Sequence, residues 1–393
     1  MPRKQRLTIC LEGLYYIVVL AFIIGGAILR EINLLYVLAG MMIGPLIYNG
    51  RMVTLMLRRL SLRRRLPVGV CAGDLLVVEF EATGTAKRGG SSAIIVSDRI
   101  EREADGREVD FGRAEVFFPV VEPGETRVQS YQGRLAQRGR YRFGPFHAST
   151  RFPLGLVRRT VTVEQIDTLI VCPRPGRLTP QWKRVSQAAL AGSGGSRARL
   201  GLVEGDYYGL RDWRSGDSRR WIHWRTSARR NKLAVRQFEQ PRTQDVILLL
   251  ELWQPEHASD DQRDNVELAI SFAATVAEEV CRRGGSHLGI GIAGQEVQWK
   301  HGTGSRPMLT EVMEQLAVAQ ATAADRLPEL LANTLPEIRR GAMTVIVSTR
   351  PVDLHDTERF ACVWDDPAQR SALRRFLCID ASGDELGEYF AVN

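Results

Sequence analysis

The chain has 393 residues, 53 Lys and Arg, 45 Asp and Glu, 6 Cys and 44% hydrophobic residues, which excludes a disordered chain, a collagen-like repeat and a disulfide scaffold. Its formal net charge is +8, but residues 1–65 hold ten basic and two acidic side chains, so the remainder is neutral. That distribution argues against nucleic-acid binding by the body of the protein, because strong phosphate binding needs a basic field.

Residues 14–29 (LYYIVVLAFIIGGAIL) and 34–50 are two uncharged runs separated by Arg30-Glu31-Ile32-Asn33. With their flanks each approaches the ~20 residues a membrane-spanning helix needs. The second run follows the first at once and no small-residue cleavage site stands out, which disfavours a signal peptide. The expectation is a transmembrane helical hairpin with basic flanks over residues 1–66, its helices approaching through Gly40 and Gly44. Three basic residues precede the first run, one lies in the turn and six fall between Arg51 and Arg65. The positive-inside bias therefore predicts a two-pass protein of the bacterial inner membrane with its N-terminus and soluble domains cytoplasmic. Six dispersed cysteines without a CxxC pair fit a reducing compartment.

Residues 67–180 alternate in short runs such as LLVVEFEA, SAIIVSD, AEVFFPV and DTLIVC, punctuated by Gly, Pro and charged turns. This pattern predicts an antiparallel β-sandwich. Residues 181–242 read as a linker and a motif-bearing segment, with 191–201 (AGSGGSRARLG) as a flexible loop. Residues 243–393 change to strand, helix, strand. VILLLELW is a nearly continuous apolar run, 264–283 has helical periodicity ending at Gly284-Gly285, and MTVIVST and FLCIDAS are further buried strands. An open α/β sheet with helices on both faces is expected.

Gly289, Gly291 and Gly294 match a dinucleotide fingerprint, but they lie inside a strand, and 295–299 alternates like another strand. No nucleotide site is expected there. No P-loop, HExxH or GxSxG occurs, and the six histidines lack metal-ligand spacing. The densest chemistry lies in residues 205–240. Three tryptophans and nine Arg or Lys fall between Arg211 and Arg236, against only Asp212 and Asp217. Gly216-Asp217 predicts a turn feeding one short helix capped by Asp217 or Ser218, with Trp221, Trp224 and Ala228 on one face and Ile222, Arg225 and Arg229 on another. Residues 233–238 then form a strand entering the α/β domain. Interleaved Arg and Trp can grip a ligand or brace a domain junction, and bracing is favoured.

The run Arg211-x-x-Arg214-x-Gly216-Asp217-x-x-Arg220-x-Ile222-His223-Trp224-x-x-Ser227-Ala228-Arg229, closing with Leu233-x-Val235-Arg236-x-Phe238-Glu239, resembles the signature of the bacterial family "domain of unknown function 58". Arg138-Gly139-x-Tyr141-x-x-Gly144-Pro145 and Phe152-Pro153-x-Gly155-Leu156 resemble motifs just upstream in such proteins. The resemblance implies two N-terminal membrane helices, a β-rich domain and a von Willebrand factor A-like α/β domain, commonly encoded beside MoxR-type AAA+ ATPases. It supplies no activity. Metal-binding von Willebrand A domains end their first strand in DxSxS, whereas this one ends in Glu251-Leu252-Trp253-Gln254-Pro255, and Ser348-Thr349-Arg350 after a later strand brings no carboxylate. No metal is expected at the degenerate position Glu251.

The reading that follows is a membrane-anchored, cytoplasmic interaction or adaptor protein without catalytic activity. It binds a protein partner, in the first instance a MoxR-type AAA+ ATPase, through Arg211, Asp217, Arg220, His223, Trp224, Ser227 and Arg229, with Asp217 pairing to an arginine such as Arg220 or Arg229. No cofactor and no small-molecule substrate are expected. The alternative is an enzyme using Asp217, His223 and Ser227, and the third is nucleic-acid binding by the Arg/Trp segment.

Overall fold

The computed structural model describes residues 5–104, 107–192, 206–215, 217–239, 245–339, 341–364 and 367–392. It divides into two compact units, Met1–Cys172 and Pro173–Asn393.

The first unit starts with strand β1 (Gln5–Ile9), helix α1 (Leu11–Arg30) and helix α2 (Asn33–Arg58). Both helices are long and apolar enough to cross a membrane. Leu35, Ala39, Met42, Leu46, Asn49 and Val53 form the inward stripe of α2, alternating four and three apart as a helix packing along its length requires. Gly40 and Gly44 lie on the opposite, exposed face, so the expected glycine contact does not form. The hairpin is instead fastened by the Tyr16 hydroxyl, which donates to the Met42 carbonyl at 2.8 Å.

Strands β2 (Leu60–Arg65), β3 (Val70–Cys71), β4 (Leu75–Gly84), β5 (Ser91–Ala104), β6 (Arg107–Val121), β7 (Thr126–Arg134), β8 (Gly139–Phe143), β9 (Phe146–Thr150), β10 (Val157–Val163) and β11 (Asp167–Cys172) follow. They build two sheets. One runs β2-β4-β7, and the other runs β1-β10-β9-β5-β8-β11-β3 with β6 paired to β5. All pairings are antiparallel except β3 with β11. Period-two alternation turns Leu76, Val78, Phe80 and Ala82 of β4 toward Ile94, Val96, Phe118, Phe143 and Phe146, giving one shared core. The last turns of α2 join it. Leu57 lies in this core, and the Ser91 hydroxyl donates to the Met56 carbonyl.

The sandwich also buries a charge. Arg64 has no exposed side-chain surface. It donates to Asp98 at 2.6 Å, to Asp167 at 2.7 Å and to the Phe143 carbonyl at 2.8 Å, and lies 5.7 Å from the Phe143 and Phe146 ring centres. Burial pushes the Asp98 carboxyl up, and Arg64 and the Tyr131 hydroxyl pull against that rise.

The second unit contains β12 (Arg177–Leu178), α3 (Pro180–Gly192), β13 (Asp206–Asp212), α4 (Trp224–Arg230), β14 (Ala234–Glu239), β15 (Val246–Glu251), α5 (Asp260–Arg283), β16 (His287–Ala293), β17 (Val297–Thr303), α6 (Arg306–Val318), α7 (Leu327–Thr334), β18 (Met343–Ser348), α8 (Ala361–Trp364), α9 (Pro367–Leu373), β19 (Leu377–Asp380), α10 (Glu385–Tyr389) and β20 (Phe390–Ala391). Residues 180–192 are thus helical, and Trp182 packs edge-on against Phe272 of α5. The rest of the stretch read as a flexible loop, 193–201, lies outside the described residues. The main sheet has the order β17-β16-β15-β18-β19 and is parallel except for β17. Its strands bury residues on both faces. One core lies under α3, α5 and α6 and the other under α7, α8 and α9. Helix α5 opens on a capping box in which Ser259 and Gln262 satisfy each other's backbone.

Arg64→Ala strands the Asp98 carboxylate in the sandwich core, a change that costs about 3–5 kcal/mol for a buried pair. Hydrogen exchange of the β5 and β8 amides is expected to accelerate while the second unit keeps its protection. Unchanged protection in β5 and β8 would mean that the charges are solvated.

Candidate functional site

Two constellations gather the polar side chains of the second unit, and the first is the signature segment. Strands β13 and β14 pair antiparallel from Asp206↔Glu239 to Asp212↔Ala234, so 234–239 returns along β13. Between them the chain does not form the single expected helix. A 3-10 turn, Arg219–Trp221, is capped by Ser218. Then Ile222 bridges to Val235, and α4 starts afresh with the His223 side chain as its cap. The break follows from hydrogen bonding, because the His223 amide donates to the Ala234 carbonyl at 2.8 Å and holds that residue out of helical geometry.

Asp217 pairs with an arginine as expected, but the arginine is Arg211 and not Arg220 or Arg229, and Asp217 does not cap the helix. It receives a two-pronged bond from Arg211 at 2.6 and 2.8 Å and a third from the Arg214 amide at 2.8 Å. The Arg211 hydrogen bonds, followed by the Arg214 amide, hold its carboxyl below the usual range. Six positions apart, these two residues close the turn that launches the segment.

Ser227 is buried. Its hydroxyl accepts from the Ala234 amide at 2.9 Å and lies 3.1 Å from the His223 carbonyl, so it bonds backbone on both sides. The His223 Nδ1 lies 2.9 Å from the Thr226 hydroxyl and accepts from the Thr226 amide at 3.3 Å. Asp217, His223 and Ser227 are therefore each engaged separately. No Asp–His or His–Ser side-chain bond links them, although such relays define nucleophilic catalysis. Trp224 is 66% exposed and Trp213 37% exposed. Arg219, Arg220, Arg225, Arg229 and Arg230 are exposed without a carboxylate partner among the described residues.

The second constellation sits at the C-terminal ends of β15 and β18, where the order of the parallel strands reverses and α/β sheets commonly bind ligands. Glu251 ends β15 at 1% exposure. It accepts from the Ser348 hydroxyl at 2.6 Å, from Arg350 Nη2 at 2.6 Å and Nε at 3.0 Å, and from Arg359 Nη2 at 2.6 Å. Asp325 bridges the same guanidiniums, 2.9 Å from Arg350 and 2.7 Å from Arg359. Arg350 stacks 4.9 Å from the Trp253 ring centre, and the Thr349 hydroxyl donates to the Trp253 carbonyl at 2.6 Å. Burial raises the Asp325 carboxyl, but the Arg359 hydrogen bond and the charges of Arg359 and Arg350 outweigh it and hold the group below its ordinary range.

Two arginines thus occupy the Glu251 carboxylate. Among the described residues no three His, Cys, Asp or Glu side chains converge as a metal-ligand set. The sequence showed Glu251 and Arg350 but gave no sign of Arg359 or Asp325, whose loops are brought in by tertiary folding. The dinucleotide-like glycines have a packing role. Added Cβ atoms would meet the Trp299 ring at 2.7 Å from Gly289 and Leu249 at 2.8 Å from Gly291.

A family model described as "Protein of unknown function DUF58" matches residues 209–363, spanning the signature and much of the α/β sheet. "Uncharacterized protein YeaD" of Bacillus subtilis (strain 168) is 25% identical over 232 residues, 58% of this chain and 55% of that protein, so the chain spans about half the length of this curated relative. The family-model match supports likeness to the DUF58 family over residues 209–363. Among solved structures, the CARDB domain of PF1109 from Pyrococcus furiosus is 16% identical over 28% of this chain and 91% of its own, with a TM-score of 0.19. The sporulation control protein Spo0M from Bacillus subtilis is 13% identical over 38% of this chain and 59% of its own, with a TM-score of 0.20. Scores this low say nothing about the fold.

Ser227→Ala leaves the buried Ala234 amide without an acceptor, at a cost of about 1–3 kcal/mol. Faster exchange at Ala234 is the expected reading, and retained protection would free the hydroxyl for another role. All seven tryptophans lie in the second unit, so their fluorescence reports its unfolding. Glu251→Ala, which leaves two guanidiniums facing Asp325 alone, is expected to lower that stability by about 3–5 kcal/mol. The Asp325 contribution is complete above the unfolded carboxyl pKa of 3.8 and lost as pH falls through its lower folded value. An acid limb unaltered by Asp325→Asn would contradict this.

Proposed function

We propose that this protein is a membrane-anchored interaction protein without catalytic activity, and that the signature segment is its partner-binding surface. The carrying observation is Trp224, a large aromatic side chain left mostly exposed in a segment whose five exposed arginines have no carboxylate partner among the described residues. A rigid aromatic in a cationic frame is the composition of a binding hot spot and complements an acidic protein surface. The separate engagement of Asp217, His223 and Ser227 supports the non-catalytic reading. So does the switch point, where Arg350 and Arg359 fill the place a ligand takes in other α/β sheets.

The helical hairpin supplies a two-pass anchor in the bacterial inner membrane, and the basic residues at its two outer ends support a cytoplasmic N-terminus, sandwich and second unit. Order β17-β16-β15-β18-β19 with an antiparallel third strand supports a von Willebrand A-like domain. The partner is a MoxR-type AAA+ ATPase, and anchoring raises its effective concentration at the membrane.

Cross-linked co-precipitation from solubilised native membranes tests this, with wild type, Trp224→Ala and Arg225→Glu/Arg229→Glu at matched abundance. All three substituted side chains are exposed, so folding is preserved. The ATPase is expected with wild type and reduced about tenfold or more in both variants, since losing an aromatic anchor costs about 2 kcal/mol. Equal recovery in all three would overturn the surface assignment. Absence of the ATPase with wild type would overturn the partner.

A further inference from the structure

Residues 151–156 connect β9 to β10 and present two exposed apolar side chains, Phe152 at 40% and Leu154 at 48%. Their position relative to the hairpin is fixed by three contacts. The Cys10 amide donates to the Leu156 carbonyl at 3.0 Å, just before α1 begins. Gly13 of α1 lies so close to that carbonyl that a Cβ would sit 2.0 Å from it. The Val157 amide donates to the Asn49 side chain of α2 at 3.0 Å. The loop is therefore held at the level of Leu11 on one helix and Asn49 on the other.

Length then sets the depth. Helix α1 has 20 residues, about 30 Å at 1.5 Å per residue, and the hydrocarbon core of a bilayer is also about 30 Å thick. No part of α1 is left over to hold the sandwich away from the bilayer. Spanning requires the acyl boundary to reach Leu11, and hence the loop. Leu7, Ile9, Leu11 and Leu14 are also exposed, so the apolar surface continues from the loop to the helix. Arg51 and Arg158 are exposed within two residues of these contacts, and Arg151, next to Phe152, is exposed 4.0 Å from Glu12, at the level where guanidiniums meet lipid phosphates.

We propose that the 151–156 loop is a third membrane contact, in which Phe152 and Leu154 insert at the acyl boundary and the neighbouring arginines bind anionic headgroups. This rests on the membrane-anchor reading. The contact fixes the tilt of the sandwich on the bilayer, which two helices alone leave free to vary.

The full-length protein carrying Phe152→Trp, Leu154→Trp or Phe22→Trp is reconstituted into vesicles of phosphatidylethanolamine and phosphatidylglycerol with brominated acyl chains. The parent signal is subtracted. Phe22 lies near the middle of α1 and is exposed, so it reports insertion of the anchor itself. The expected result is bromine quenching and a blue shift at all three positions, weaker at 152 and 154 than at 22. Quenching at 22 with none at 152 or 154 would overturn the loop contact and leave the anchor standing. Absence of quenching at 22 would overturn both. Quenching at the loop that persists without phosphatidylglycerol would assign the contact to the apolar tip and remove the arginines from it.

Discussion

A carboxylate that is almost wholly buried at the end of the central strand of a parallel sheet has to be neutralised, and for Glu251 that demand falls on Arg350 and Arg359. Meeting it ties four separate stretches of chain together: the end of β15, the loop carrying Asp325, the loop after β18 and the residues leading into α8. Because β15 and β18 are parallel with Glu251 opposite Ser348, the Ser348 hydroxyl and the Arg350 guanidinium approach the same carboxylate from one short turn. Trp253 then lies beneath Arg350, spreading the charge over an aromatic face. Carboxylate desolvation is offset by hydrogen bonds on both oxygens, the condition under which a buried ion cluster is tolerable.

The arrangement leaves the switch point filled by protein. In an open α/β sheet the crevice beyond the strand ends is usually where a ligand sits, but here protein cations occupy it. The signature segment shows the complementary economy. Its most chemically suggestive side chains are spent on local structure, with Asp217 closing a turn, His223 starting a helix and Ser227 satisfying the β14 backbone. Those internal bonds free Trp224 and its neighbouring arginines to project outward.

Much of the fold was legible because it rests on periodicity. The alternation of β4 and the unbroken apolar run of β15 report one-sided and two-sided burial directly. Glycines inside a strand could likewise be told from glycines at a phosphate-binding turn. What the sequence hid was partner choice. Arg211 pairs with Asp217 because β13 exists, and β13 was not foreseen since its own strand pattern is short and β14 is its one partner among the described residues. The helix in 219–230 looked continuous because side-chain spacing carries no record of the His223 amide bonding across to Ala234. Gly40 and Gly44 suggested a close helix contact, but the phase of α2 is set by Ala39, Met42 and Asn49, which turns those glycines outward. Arg359 gave no signal at all, since nothing local distinguishes it from other surface arginines.

The pairing of β1 with β10 bears on the order of assembly during synthesis. Gln5 lies opposite Val161, so the edge strand that completes the larger sheet leaves the ribosome first, while its partner emerges only after both apolar helices and most of the sandwich strands. That edge stays open until β10 has been made, and the sheet closes around a helical hairpin whose two helices lie between the paired strands in the chain. Final closure then spans a loop whose ends the hairpin has brought together, which removes much of the chain entropy that so distant a pairing otherwise costs. Pairing of the two helices therefore acts as a folding step for the sandwich.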